Sequence, residues 1–529
     1  MTKEPWPVPS PSSPHPRRLP LALPALVAAA VALLAAGCGG GGGDENADPA
    51  SVAPKGAPIY FTGFVRPQGS QKTAVEAIAR KVAGVSNPGA AIEQSFDRSA
   101  RRQHVTFKDD VKPWLGRRAA VVASAFGGKH SAGAVIVASK DNSKAGDFVD
   151  KAAKGSSGSS EKRSYKGVDY RFNSSSSTAY GVVGNFLVVG NEPEFKRVVD
   201  ASKGSSLKDN KQYASVAGQA GKKLGFGFVD VRSLIDDLGA SGQLPAGQGA
   251  TLGALLGGVN QPVTLTLDAK SDQVRVDVAG PAARSVASKR QASVVGALPA
   301  GAWAALGLGD VGGALRSAIA RFASGGIGGG VIQSLTSQLR NATGLDLNRD
   351  ILAAIGDVGF FATGSNLLQI GAGAVILSPD PGAARRLVAK LGALITRLGA
   401  RSRVRVTATS IGGASGARIR APRLPGSIDL VVKGSKLVAA YGDAATRSAL
   451  SSGRTLGNSP AFQQASASLG DGATPALYVD FGPLATLVGS SSNPNAQRAA
   501  RVLRALKDLV VGGSQQGSSA VGRVVVNLK

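Results

Sequence analysis

Five short motifs occur twice in this chain, in the same order, and they constrain its fold more than any other feature. Pro54-x-Gly56-Ala57 returns as Pro299-x-Gly301-Ala302. Asp110-Val111 followed by Trp114-Leu115-Gly116 returns as Asp350-Ile351 followed by Ala354-Ile355-Gly356. Ala132-Gly133-Ala134-Val135-Ile136 returns unchanged at Ala372–Ile376. Leu207 with Tyr213 returns as Leu456 with Phe462, and Phe228-Val229-Asp230 returns as Tyr478-Val479-Asp480. One match would mean little in a chain with 71 Gly, but five in order, with drifting offsets, indicate an internal repeat with small insertions. The reading is two homologous halves, 52–280 and 296–529, with 281–295 as a linker.

Each half alternates the same expected elements. Ile59–Val65 reads as an opening strand and Thr73–Ala83 has helical spacing. Asp110 and Asp350 are placed to cap short helices that Gly116 and Gly356 end. Ala119–Ala125 and Ala132–Ser139 read as neighbouring strands, as do Val263–Ala269 and Gln273–Val278. Further strands are expected around Tyr165–Phe172 and Ala179–Val189, and at the terminal Ala520–Leu528. Asp380-Pro381 starts a helix whose apolar stripe runs from Ala384 to Leu398. Short links between strands favour antiparallel pairing. The expected fold is α+β, each half a mainly antiparallel sheet packed against helices.

The Pro-x-Gly-Ala opening, the Asp-Val-x-Pro-Trp-Leu-Gly turn at Asp110–Gly116, and Leu207–Tyr213 ahead of Phe228-Val229-Asp230 resemble a family of exported bacterial proteins known as domain of unknown function 3352. The resemblance implies the architecture and brings no activity or catalytic residues.

The first fifty residues read as an address. Arg17 and Arg18 precede the apolar run Leu19–Ala36, which ends in Ala35-Ala36-Gly37 directly before Cys38, the one cysteine of the chain. This resembles a bacterial lipobox, with Ala35 where that motif favours Leu. It implies a signal peptide at 1–37, diacylglycerol on Cys38, and attachment to the outside of the cell membrane. Residues 38–51, opening on Gly39–Gly43, then form a flexible tether. An uncleaved anchor and plain secretion are the competing readings.

The formal net charge of +27 fits anionic lipid headgroups or cell-wall polymers for an exported chain, or a merely solubilising surface. Nucleic acid is not expected, since aromatic residues for base stacking make up only 5%. A single Cys and three His leave no thiolate cluster or His-rich metal site, and no cofactor is expected. Gly307-x-Gly309-x-x-Gly312 matches a dinucleotide fingerprint, but no acid follows at the ribose-binding distance, so it reads as a Gly-rich turn. Ser205 with Lys208, Ser159 with Lys162, His104 and His130 are weak catalytic candidates.

Asp230 and Asp480, acids at the same place in both copies, are the candidate ligand contacts. Their competing role is to cap the helices that follow. Arg498, Arg501, Arg504 and Lys507 opposite Ala499, Val502, Leu503, Leu506 and Val510 read as a basic amphipathic helix that could lie on headgroups or pack on the sheet. The leading functional expectation is a non-catalytic binding or scaffolding lipoprotein. A carrier of lipid or another apolar ligand and a cell-envelope hydrolase are the alternatives.

Overall fold

A computed structural model describes residues 43–529, apart from 86, 102–103, 126–131, 156–159, 243, 245–248, 250–260, 281–288, 324–327, 367–368, 423 and 517–518. The leader, Cys38, His130 and Ser159 lie outside the described residues.

The first half contributes β1 (Ile59–Phe64), β2 (Leu115–Ala125), β3 (Ala132–Ser139), β4 (Ser160–Tyr165), β5 (Val168–Asn173), β6 (Thr178–Val183), β7 (Phe186–Asn191), β8 (Gly225–Val229), β9 (Val263–Lys270) and β10 (Gln273–Ala279). The second contributes β11 (Ala302–Leu308), β12 (Asp357–Thr363), β13 (Gly371–Leu377), β14 (Arg405–Ile411), β15 (Ala414–Arg420), β16 (Ile428–Lys433), β17 (Lys436–Tyr441), β18 (Thr474–Asp480), β19 (Leu506–Gln516) and β20 (Ser519–Leu528). Every pairing among these strands is antiparallel. The first ten lie in the order β4-β5-β6-β7-β3-β2-β1-β8-β9-β10. The second ten lie in the matching order β14-β15-β16-β17-β13-β12-β11-β18-β19-β20.

The two arrays meet where β10 pairs antiparallel with β20, giving one twenty-strand sheet among the described residues. The ladders fix which residues correspond. Phe228 leads through Thr264 to Ala279, and Tyr478 leads through Val510 to Val525. By that count Asp277 corresponds to Arg523, and these two face each other across the junction. Two like charges at these paired positions would repel each other. Here the two strands carry opposite charges, and Arg523 Nε donates to Asp277 Oδ1 at 2.9 Å.

Alternation along the strands places cores on both faces of the sheet. In the first half, Ile136 and Val188 join Tyr60, Phe195, Leu207 and Phe228 on one face. Val135, Val137 and Leu187 join Phe107, Trp114 and Val149 on the other. The second half repeats this, with Tyr478, Phe462 and Leu456 in one cluster and Ala384, Leu387 and Val388 of the helix Pro381–Gly399 in another.

Several expectations are corrected. The two strands expected over Tyr165–Val189 are four, because Lys166 and Gly167 both take positive φ and make a tight hairpin turn, and Gly184 opens a second. The helix Pro494–Ala505 stops before Lys507 and Val510, which belong to β19, a strand the sequence reading missed. Leu398 ends the Pro381 helix 68% exposed, off the buried stripe. The tether is shorter than 38–51, since Ala47 and Ala50 are buried in the first core, and Glu45 O accepts from Arg117 N at 2.7 Å. Of the expected linker 281–295, residues 281–288 lie outside the described residues and the rest belong to a helix, Lys289–Gly296, whose Val294 and Val295 are buried against the second half.

Candidate functional site

The repeated motifs converge in space. Pro54 makes an isolated antiparallel bridge with Ser206, and Pro299 makes the same bridge with Thr455. Leu207 N donates to Ala53 O at 2.8 Å, and Leu456 N to Leu298 O at 2.7 Å. The Tyr213 ring meets Phe228 edge-on at 5.4 Å, and Phe462 meets Tyr478 at 5.4 Å in the same way. These motifs therefore tie the start of each half to its far end through backbone bonds and aromatic burial.

Asp230 and Asp480 occupy equivalent N-caps. Asp230 Oδ1 accepts from Ser233 N at 3.1 Å and Oδ2 from Ser233 Oγ at 2.9 Å, starting the helix Val231–Ala240. Asp480 Oδ1 accepts from Gly482 N at 2.8 Å, starting the helix Phe481–Gly489. Each carboxylate satisfies an amide that would otherwise be orphaned at a helix start. Beside Asp480, across the ladder, Asp508 is nearly buried, and burial raises its carboxyl above the ordinary range despite a 2.6 Å bond from Asn527.

Asp110 and Asp350 do more than the cap role expected of them. Each sits inside a single π-helical turn, Phe107–Val111 or Leu347–Leu352, and the caps are Thr106 and Asp346. Asp110 Oδ2 accepts from Thr106 N at 2.7 Å, and Asp350 Oδ2 from Asp346 N at 2.9 Å. Each carboxylate also binds a lysine from the next helix, Lys151 to Asp110 at 2.6 Å and Lys390 to Asp350 at 2.5 Å. Burial works to raise the Asp110 carboxyl and is outweighed by Lys151 and the Thr106 amide, leaving it below the ordinary range. At Asp350 the Lys390 ammonium is the largest influence and lowers the carboxyl in the same direction. This repeated ion pair was missed in the sequence, although Lys151 and Lys390 follow their aspartates at almost the same spacing.

Gly116 and Gly356 end no helix. Gly116 lies at the start of β2, where a Cβ would come within 2.5 Å of Ala138 O, and at Gly356 a Cβ would come within 2.2 Å of Leu377 O. Both glycines permit a close approach of neighbouring backbone. Gly312 serves the same end: a Cβ there would sit 1.9 Å from Ile355 O, so the Gly307–Gly312 run is a strand-to-helix turn packed onto the π-helical turn.

The weaker candidates are dispersed. Lys208 pairs with Asp48 at 3.2 Å and Lys162 with Asp169 at 3.0 Å. His104 is exposed at positive φ in a turn. Glu194, fully buried, accepts from Ser124 Oγ at 2.6 Å, and burial pushes its carboxyl up. Among the described residues no group of three or more His, Cys, Asp or Glu is placed to hold a metal ion, and no helix is long and apolar enough to cross a membrane.

The fold and the recurring geometry of its motifs define an α+β protein built on one antiparallel sheet among the described residues. The chain belongs to the family described as Protein of unknown function (DUF3352), whose match spans residues 21–528. No curated protein matches the chain, and no solved structure does.

Proposed function

We propose that the protein is an exported lipoprotein, held by diacylglycerol on Cys38 at the outer face of the cell membrane, where it acts as a non-catalytic binding or scaffolding module. The observation that carries this reading is the position of the one cysteine, directly after a basic, apolar and small-residue leader. The non-catalytic part is supported by how the repeated acids are used: Asp230 and Asp480 cap helices, and Asp110 and Asp350 are held in lysine pairs. We also infer that the halves 52–280 and 296–529 are copies of one ancestral unit, which the shared strand order and the two Pro bridges support. Anionic headgroups or cell-wall polymers suit the charge of +27.

Radiolabelled palmitate should enter the wild-type protein and not Cys38→Ala, because the substitution removes the only sulfur able to take the lipid. Two acyl chains attach stably, at about 0.8 kcal/mol per buried CH₂. The labelled protein should therefore stay with membranes through a high-salt wash that screens surface charge. Unlabelled wild-type protein released by salt would overturn the lipoprotein reading and leave charge as the attachment.

A further inference from the structure

The helices Val311–Ala323 and Gly328–Thr343 follow β11 and lead into the π-helical turn at Leu347. They pack on each other, and Gly312 is the one residue in them that is buried among those described. Four large apolar side chains stand out on their surface: Leu315 is 42% exposed, Phe322 56%, Val331 43% and Leu335 55%. Spacings of seven residues on the first helix and four on the second put each pair on one helical face. From Val311 to Leu345 the sequence contains Arg316, Arg321 and Arg340 and no Asp or Glu, although Arg340 is paired with Asp346 just beyond the second helix. Arg316 Nη1 donates to Leu352 O at 2.9 Å and Arg397 Nη2 to Ala342 O at 2.7 Å, fixing the foot of the pair on the body of the protein.

The corresponding helices of the first half differ. Gly69–Ala83 buries Ala74 and lies against β9, and together with Pro88–Ala100 it carries Glu76, Glu93 and Asp97 among its basic residues. The second-half pair has exchanged mixed charge for apolar residues and cations alone.

We infer that this helical pair is an interfacial contact for an anionic lipid surface, with Leu315, Phe322, Val331 and Leu335 entering the headgroup–acyl boundary and the net positive charge of the two helices attracting the lipid phosphates. Exposed apolar side chains on two helices that carry cations and no acid of their own match that solvent boundary. A second copy of the chain is the poorer occupant: it would bring the same cations face to face on molecules that each carry +27. The basic helix Pro494–Ala505 is the weaker membrane candidate, since it lies against the helix Phe481–Gly489 and β19, with Ala500 buried. The inference names the membrane-facing surface of the function proposed above, and its test uses a chain without the Cys38 sulfur so that anchor and contact are read separately.

The mature chain 38–529 carrying Cys38→Ala and a single new thiol, at Phe322→Cys, Leu335→Cys or Val502→Cys, would be labelled with an environment-sensitive fluorophore. It would be mixed with phosphatidylglycerol–phosphatidylcholine vesicles, or with phosphatidylcholine alone, each with and without brominated acyl chains. The expected result is a blue shift and at least twofold stronger bromolipid quenching at 322 and 335 than at 502, present with the anionic vesicles and weak with phosphatidylcholine. Equal quenching at all three positions, or quenching confined to 502, would overturn the inference. A blue shift at 322 that needs no vesicles and grows with protein concentration would also overturn it, by showing that a second copy covers the surface.

Discussion

Asp350→Asn should lower the unfolding free energy by about 2–4 kcal/mol at pH 7, measured by urea denaturation. The carboxylate is fully buried and binds Lys390 at 2.5 Å and the Asp346 amide at 2.9 Å, so the amide variant leaves an ammonium facing a neutral group. The estimate stays below the upper range for buried pairs because the Lys390 side chain is 33% exposed and water screens part of the loss. Asp110→Asn should cost less, since both Asp110 and Lys151 are more exposed than their counterparts. The pH dependence has a definite sign. Folding lowers the Asp350 carboxyl below its unfolded value of about 3.9, so its contribution is complete above that pH and is lost as pH falls through the folded value. Wild type and Asp350→Asn should therefore begin to converge in stability below about pH 4 and meet only below the lowered folded value. A gap that persists unchanged into strong acid would mean that the ion pair is not the cause.

The second large effect is expected at the junction of β10 and β20. Asp277 accepts from Arg275 and Arg523, and burial, which alone would raise its carboxyl, is outweighed by the two guanidinium groups. Arg523 also donates to Leu469 O. Asp277→Arg places a third cation beside those two in a largely buried position and should cost about 3 kcal/mol. Asp277→Arg combined with Arg523→Asp should recover part of that loss, with a coupling energy of about 1–3 kcal/mol from the double-mutant cycle. Because β10–β20 is the ladder by which the two arrays meet, the single reversal should also split one urea transition into two. A single, undisplaced transition would show that the halves do not depend on this contact.

How much of this was legible in the sequence follows from which signals are local. Ile59–Phe64 and Val263–Lys270 were readable as strands because their alternation and turn residues lie within a few positions. The repeated motifs marked real contacts: the Pro54 bridge to Ser206 and its copy at Pro299 and Thr455 join exactly those segments that recur. β19 was hidden because Arg498, Arg501 and Arg504 sustain a helical charge spacing that Lys507 continues, while β-branched Val510 and Val511 compete with it. Burial decided in favour of the strand, since Val510 belongs to the second core. The lysine partners of Asp110 and Asp350 were out of reach for a different reason. They stand about forty residues away, and only the packing of the following helix onto the π-helical turn brings them within bonding distance. Asp230 and Asp480 showed the opposite behaviour. An acid just ahead of a helix start is a local signal, and the geometry makes both of them caps. Nothing local could foretell that β10 would pair with β20, because that contact depends on two complete arrays presenting their last strands to each other.

The anchor on Cys38 is the claim from which the proposed location and task both follow, and the mass of the mature protein tests it most directly. Intact-protein mass spectrometry of material extracted from membranes with detergent should give the chain beginning at Cys38 plus a diacylglyceryl group, with the lipid mapped to the N-terminal peptide. A protein that begins at Cys38 with no added lipid, begins elsewhere, or keeps its leader at the full 53.1 kDa would contradict it.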